Sequence, residues 1–232
     1  MNSEETGSAE PAERLRQNRA RAVPRLHVVC PDVILRKANA ELRLIELLEA
    51  GAADVALHLR PRETPVRRCL DLAFRLTPIA DRSGSWLVVN GRTDVARIVR
   101  PQAVQLGHGA LPVGAVRILL GPECAIGVSV HSWDDCRRAQ AAGADFLLLG
   151  TIFPTPSHSG EAGAGPSLVS RCAGTELPVI AIGGIDDSNI AEVRGAGAHG
   201  AAVIRAVWEA DDPVGAIRRL CALLRSDETS GE

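Results

Sequence analysis

A chain of 232 residues with a formal net charge of -2 is long enough to bury one large core, and its near-neutral balance argues against a nucleic-acid or membrane partner. Hydrophobic residues make up 46% of the chain and aromatics only 3%, with no Tyr, so the core must be built from Ala, Val, Leu and Ile, as in packed parallel strands and Ala-rich helices. The six cysteines, Cys30, Cys69, Cys124, Cys136, Cys172 and Cys221, show neither a CxxC pair nor Cys/His ligand spacing, which points away from zinc. With no secretory signal and no apolar run of membrane-spanning length, they read as reduced thiols in a cytoplasmic protein.

Residues 1–24 are polar and rich in Ala, Glu and Arg without a stable apolar period, and are expected to be a disordered or loosely helical extension. From residue 25 the pattern becomes strand then helix and repeats to the end, with no visible domain boundary, so residues 25–232 form one domain. Leu26 to Cys30 is a β-branched run, and Ala40 to Gly51 carries Leu42, Ile45, Leu47 and Leu48 at helical spacing before a Gly stop. Further units place strands at 54–60, 86–90 and 103–107, with helices over about 65–76, 93–99 and 113–119.

The stretch Ile126 to Ser132 is a run of small and β-branched residues ending in an imidazole. Ser132, Trp133, Asp134 and Asp135 then read as a capping box opening a helix, which puts His131 where a strand hands over to a helix. An apolar strand over 145–153 follows, then a long Gly/Ser/Pro loop over 154–166 and a helix near 167–173. Strands at 178–184 and 200–204 alternate with helices at 188–195, about 206–210 and 213–224. Eight strands alternating with helices predict a (β/α)8 TIM barrel; the absence of an early Gly-x-Gly-x-x-Gly turn speaks against a doubly wound open sheet.

In a barrel the chemistry sits at the C-terminal ends of the strands, and polar groups close most of them. Alternation along the second strand sends His58, Arg60 and Arg62 to one side, where the planar fork of Arg60 could take a carboxylate or phosphate. Asn90 closes the third strand, either as a ligand contact or as a helix cap. The loop from Gly150 through Thr155 to Pro166 is too long and hydroxyl-rich for a plain connection and suits closure over a phosphorylated substrate. Gly183 and Gly184 end the seventh strand, and Val203 and Ile204 lead into a short helix; bare backbone N–H groups there can cradle a phosphate. His131 remains open between a backbone-satisfying group and a proton carrier.

From about Leu26 to Leu224 the chain resembles the thiamine phosphate synthase/TenI superfamily of (β/α)8 barrels that bind thiazole phosphates. The resemblance rests on Gly150, Ile152, Phe153 and Thr155, on the run Pro178 to Ile185, and on Gly200 to Ile204. In the synthase branch it implies magnesium held by an Asp after the third-strand Asn and another after the fourth strand; here those positions are Gly91 and Ala110. Losing both hard oxygen ligands removes the clamp for a departing pyrophosphate. His58, Arg60 and Arg62, then Asn90, Gly91, Arg92 and Asp94, the run Val104, Gln105 and Leu106, and finally Ser129, His131 and Ser132 resemble the TenI branch of thiazole tautomerases instead. His158 stands where that branch tends to carry Lys.

The resemblance thus implies an isomerase that needs no metal or cofactor. His131 would be its proton carrier, Arg60 and Asn90 would orient the ligand, Gly150 and Thr155 would line the loop, and Gly183, Gly184, Val203 and Ile204 would hold the phosphate. Its partner would be a small-molecule thiazole phosphate. Thiamine phosphate synthase, with Asp94 or Asp81 as a displaced metal ligand, and a silent thiazole phosphate binder remain alternatives, and self-association into a homo-oligomer stays open.

Overall fold

The computed structural model describes residues 23–155 and 162–225. Most of the 1–24 extension and His158, with the centre of its loop, lie outside the described residues. Eight parallel strands close into a barrel in sequence order. They are β1 (Leu26–Cys30), β2 (Val55–Leu59), β3 (Trp86–Asn90), β4 (Ala103–Leu106), β5 (Ala125–Val130), β6 (Phe146–Gly150), β7 (Val179–Ile182) and β8 (Gly200–Val203). Register runs from Leu26 opposite Val55 round to Leu26 opposite Ala201, which closes the ring and confirms the TIM barrel.

The outer helices are α1 (Asp32–Leu35), α2 (Ala40–Gly51), α3 (Val66–Ser83), α4 (Thr93–Val99), α5 (Val113–Leu120), α6 (Trp133–Ala141), α7 (Pro166–Cys172), α8 (Ile190–Gly195), α9 (Arg205–Trp208) and α10 (Pro213–Arg225). Two differences from the sequence pattern matter. Helix α1 carries no periodic signal, being a single turn after a Pro. Helix α3 runs on through Pro78 to Ser83, because its buried face continues through Thr77 and Ala80. Strands β1 and β3 end where the pattern predicts, while β2, β4, β6, β7 and β8 stop one to three residues earlier, since pairing ends where the chain bends into the loops.

Alternation along the strands divides two packed layers. One face, with Leu26, Leu57, Leu87, Val104, Ile126 and Leu149, packs against the helices. The other fills the barrel with Ala56, Trp86, Val88, Phe146, Leu148 and Ile180. Phe146 is the bulky plug: its ring centroid lies 6.4 Å from that of Trp86 and 5.4 Å from that of His27. Gly127 makes room for it, because a Cβ there would fall 2.3 Å from Phe146 Cζ. Above the plug the barrel opens at the C-terminal ends of the strands, where the site is built. Among the described residues no helix is long and apolar enough to cross a membrane.

Candidate active site

A cavity of about 950 Å³ occupies that end of the barrel. Its apolar floor is Val29, Leu148, Ile182 and Ala202, supplied by β1, β6, β7 and β8. The opposite half of the floor is polar, with Asn90, Gln105 and Ser129 from β3, β4 and β5. A ring can thus lie on apolar surface with hydrogen-bonding groups along one edge.

All nine residues expected at the site line this one cavity: His131, Arg60, Asn90, Gly150, Thr155, Gly183, Gly184, Val203 and Ile204. Their placement has local causes. Ser132 caps α6 by accepting from Asp135 N–H at 3.1 Å, as the capping-box pattern predicts. The returning Asp135 carboxylate accepts from Ser132 Oγ at 2.8 Å and from His131 N–H at 3.1 Å, so it holds the backbone of His131 itself. The His131 ring donates from Nδ1 to the carbonyl oxygen of Gly150, which leaves Nε2 as the lone-pair nitrogen of the neutral ring. Gly150 can carry no side chain, since a Cβ would lie 2.2 Å from Ile182 O.

On the other side of the cavity, Asn90 does not cap α4. The residue before that helix is Arg92, without a side-chain cap bond, and Asn90 instead meets the buried His58 ring at 3.0 Å. Arg60 is half-buried, and among the described residues its guanidinium has no carboxylate partner. Burial and the neighbouring Arg62 cation lower its pKa, while Asp32 raises it. An unpaired, partly desolvated guanidinium facing a cavity is a receptor for an anion.

The loop that carries Arg60 and Arg62 is clamped by Asp32, the first residue of α1. Its carboxylate accepts from Arg62 N–H at 2.9 Å, Glu63 N–H at 3.1 Å, Thr64 N–H at 2.8 Å and Thr64 Oγ at 2.5 Å. Partial burial raises the Asp32 pKa, but these bonds outweigh it and hold the carboxyl below its ordinary value. At the far wall Gly183 and Gly184 take φ of +106° and +65°, and a Cβ on Gly184 would meet Pro154 O at 2.6 Å. Asn189 Nδ2 donates to Gly184 O at 2.8 Å and pins the turn. The cavity therefore carries a guanidinium without a carboxylate partner among the described residues at the end of β2, and a bare-backbone turn at β7, three strands away round the ring.

Magnesium does not fit the donor set present. Gly91 and Ala110 line the cavity mouth after β3 and β4 and offer no carboxylate. The carboxylates that do line it, Asp186 and Glu209, belong to the β7 and β8 ends. Asp94 is taken up by Arg92, whose side-chain hydrogen bond holds its pKa at about 2, and Asp81 accepts from Gln102 Nε2 at 2.8 Å; neither lines the cavity. Among the described residues no three His, Cys, Asp or Glu side chains are grouped to hold a metal.

Several participants are not marked by the sequence pattern. His27 lies fully buried beside His58 with ring centroids 5.0 Å apart, although alternation along β1 could have sent it inward. Asp32 carries no signal, because its partners lie 30 to 32 residues away. Gln105, by contrast, belongs to the Val104–Leu106 run that resembles the TenI branch; it is buried, its Oε1 has no partner among the described residues, and its Nε2 donates to Ser129 Oγ at 3.1 Å.

Comparison with known proteins supplies the family. A sequence model described as thiamine monophosphate synthase matches residues 26–207. A thiamine-phosphate synthase of Gloeobacter violaceus is 41% identical over 173 residues, covering 73% of this chain and 51% of that protein, so the chain spans about half the length of this relative. One from Moorella thermoacetica is 38% identical over 182 residues, 77% of this chain and 86% of that protein. Among solved structures, a thiamine phosphate pyrophosphorylase from Pyrococcus furiosus superposes with a TM-score of 0.76 at 30% identity, covering 87% of this chain and 96% of the other. Fold, match length and identity agree: the chain belongs to the thiamine monophosphate synthase (TMP-TENI) family.

Proposed function

We propose that this family member is a thiazole phosphate tautomerase, an isomerase that moves one proton without a metal. The observation that carries this reading is the pair Gly91 and Ala110 at the mouths of β3 and β4, where a pyrophosphate-releasing transferase needs hard oxygen ligands. What the cavity does offer is an imidazole between two anion receptors. A ligand with a phosphate at one end and a carboxylate at the other spans the floor, its phosphate on the Gly183–Gly184 turn and its carboxylate on Arg60.

Held this way, the ring lies beside His131. Nε2 takes the proton from the carboxylate-bearing ring carbon, the electron pair moves into the ring, and the exocyclic carbon receives a proton back from the same nitrogen. Atoms and charge balance, and the product is the aromatic carboxythiazole phosphate. Anchoring at both ends makes one mobile proton carrier sufficient.

A second reading, thiamine phosphate synthesis, is favoured by the names of the relatives, which are synthases. It needs a metal clamp from residues other than those after β3 and β4. Purified protein separates the two. The tautomerase reading expects isomerisation of the carboxythiazole phosphate tautomer at equal rates with magnesium and with chelator, and no coupling of thiazole phosphate to a pyrimidine diphosphate. Coupling that chelator abolishes would establish the transferase instead.

A further inference from the structure

A line of three side chains runs from the base of the barrel to the cavity. His27 Nε2 lies 3.0 Å from the carbonyl oxygen of Pro24, His27 Nδ1 lies 2.8 Å from His58 Nε2, and His58 Nδ1 lies 3.0 Å from Asn90 Oδ1. Both rings are fully buried, and the charged or titratable groups that act on them are each other, His199 and the Arg60 cation, with no carboxylate among the described residues. Such surroundings keep both rings neutral.

Neutral rings leave a single way to share the protons. A carbonyl oxygen only accepts, so the proton facing Pro24 sits on His27 Nε2, and His27 Nδ1 is a lone pair. His58 Nε2 must then be the donor to it, which makes His58 Nδ1 a lone pair as well. A lone pair there cannot bond the Asn90 Oδ1 that lies 3.0 Å away, and demands an N–H in its place. An amide fills nearly the same outline after a half-turn about its terminal torsion, so the rings, and not its shape, decide which atom it offers.

We propose that the buried His27–His58 pair is a positioning device for Asn90, turning its Nδ2–H toward His58 and leaving Oδ1 and one N–H for the cavity. Asn90 then presents an acceptor beside a donor, whereas the opposite turn would present two donors. Oδ1 repels a carboxylate. On the proposed tautomerase reading, on which this assignment rests, the ligand carboxylate belongs to Arg60, and Asn90 addresses the ring through its remaining N–H.

Nitrogen-15 NMR of the histidine rings in the full, ligand-free chain tests the device without substrate or turnover. At pH 7 the expected spectrum shows His27 and His58 both neutral and both carrying the proton on Nε2. A His58 protonated on Nδ1, alone or together with Nε2, would overturn the proposal. Asn90→Asp adds a spectroscopic signature that loss of packing does not produce: a carboxylate has no N–H to offer, so His58 should take a second proton and appear cationic at pH 7. A neutral His58 in that variant would count against the proposal equally, and if the variant does not fold the wild-type spectrum decides. Failure of the tautomerase assay would leave these spectra untouched.

Discussion

The Nδ1 of His131 donates to the carbonyl oxygen of Gly150, joining the end of β5 to the end of β6. The bond selects the tautomer whose Nε2 is free to take a proton, and the Asp135 grip on the His131 backbone keeps the residue at the rim. Replacing His131 by Ala should lower the isomerisation rate by ~10²-fold or more while ligand affinity changes little. Steady-state kinetics beside a ligand titration checks this, and unchanged turnover would remove His131 from the mechanism.

The bare turn after β7 should be intolerant of a methyl group. Gly184 combines φ of +65° with a Cβ position 2.6 Å from Pro154 O, so Gly184→Ala brings both backbone strain and a clash with the loop. A loss of ~1–3 kcal/mol is expected, together with a KM raised ~10-fold and a smaller change in kcat. Wild-type affinity for the phosphorylated ligand in this variant would place the phosphate elsewhere.

Asp32 acts on Arg60 and Arg62 through the backbone of the loop that follows them. Asp32→Asn keeps the shape but exchanges one carboxylate oxygen for a donor that cannot accept from Arg62, Glu63 or Thr64. The expected cost is ~1–3 kcal/mol, with KM rising several-fold as the guanidinium loses its placement. Thermal melts paired with kinetics read both effects; a variant as stable and as tightly binding as wild type would show the clamp to be unnecessary.

The buried imidazoles link stability to pH. Burial depresses the His58 pKa to about 4 and holds His27 well below its ordinary value, while in the unfolded chain both rings titrate near ~6.5. Between these limits the unfolded state binds more protons, so stability is full above about pH 6.5 and falls as the pH drops toward 4. His58 alone should remove ~2 kcal/mol between pH 7 and pH 5. Urea melts at the two pH values should show this loss in the wild type and a smaller one in His58→Gln; equal losses would mean that His58 does not carry the effect.

Local pattern along the chain makes much of this protein legible. Strand and helix alternate with periods that a short window displays, so the barrel follows from counting units. His131 falls at a strand-to-helix junction because Ser132 and Asp135 cap the helix that follows, and Gly183 and Gly184 announce their turn because few other residues adopt it. Closure of the ring decides what no window contains. It sets Asn90 against His58, 32 residues earlier, instead of at a helix cap, and brings Asp32 under the loop of Arg62. It also gathers nine residues from six strand ends around one cavity and leaves Asp81 and Asp94 outside it. Periodicity and turn chemistry are properties of neighbours along the chain, whereas tautomers, anion receptors and metal donor sets depend on groups that meet only when eight strands find their register.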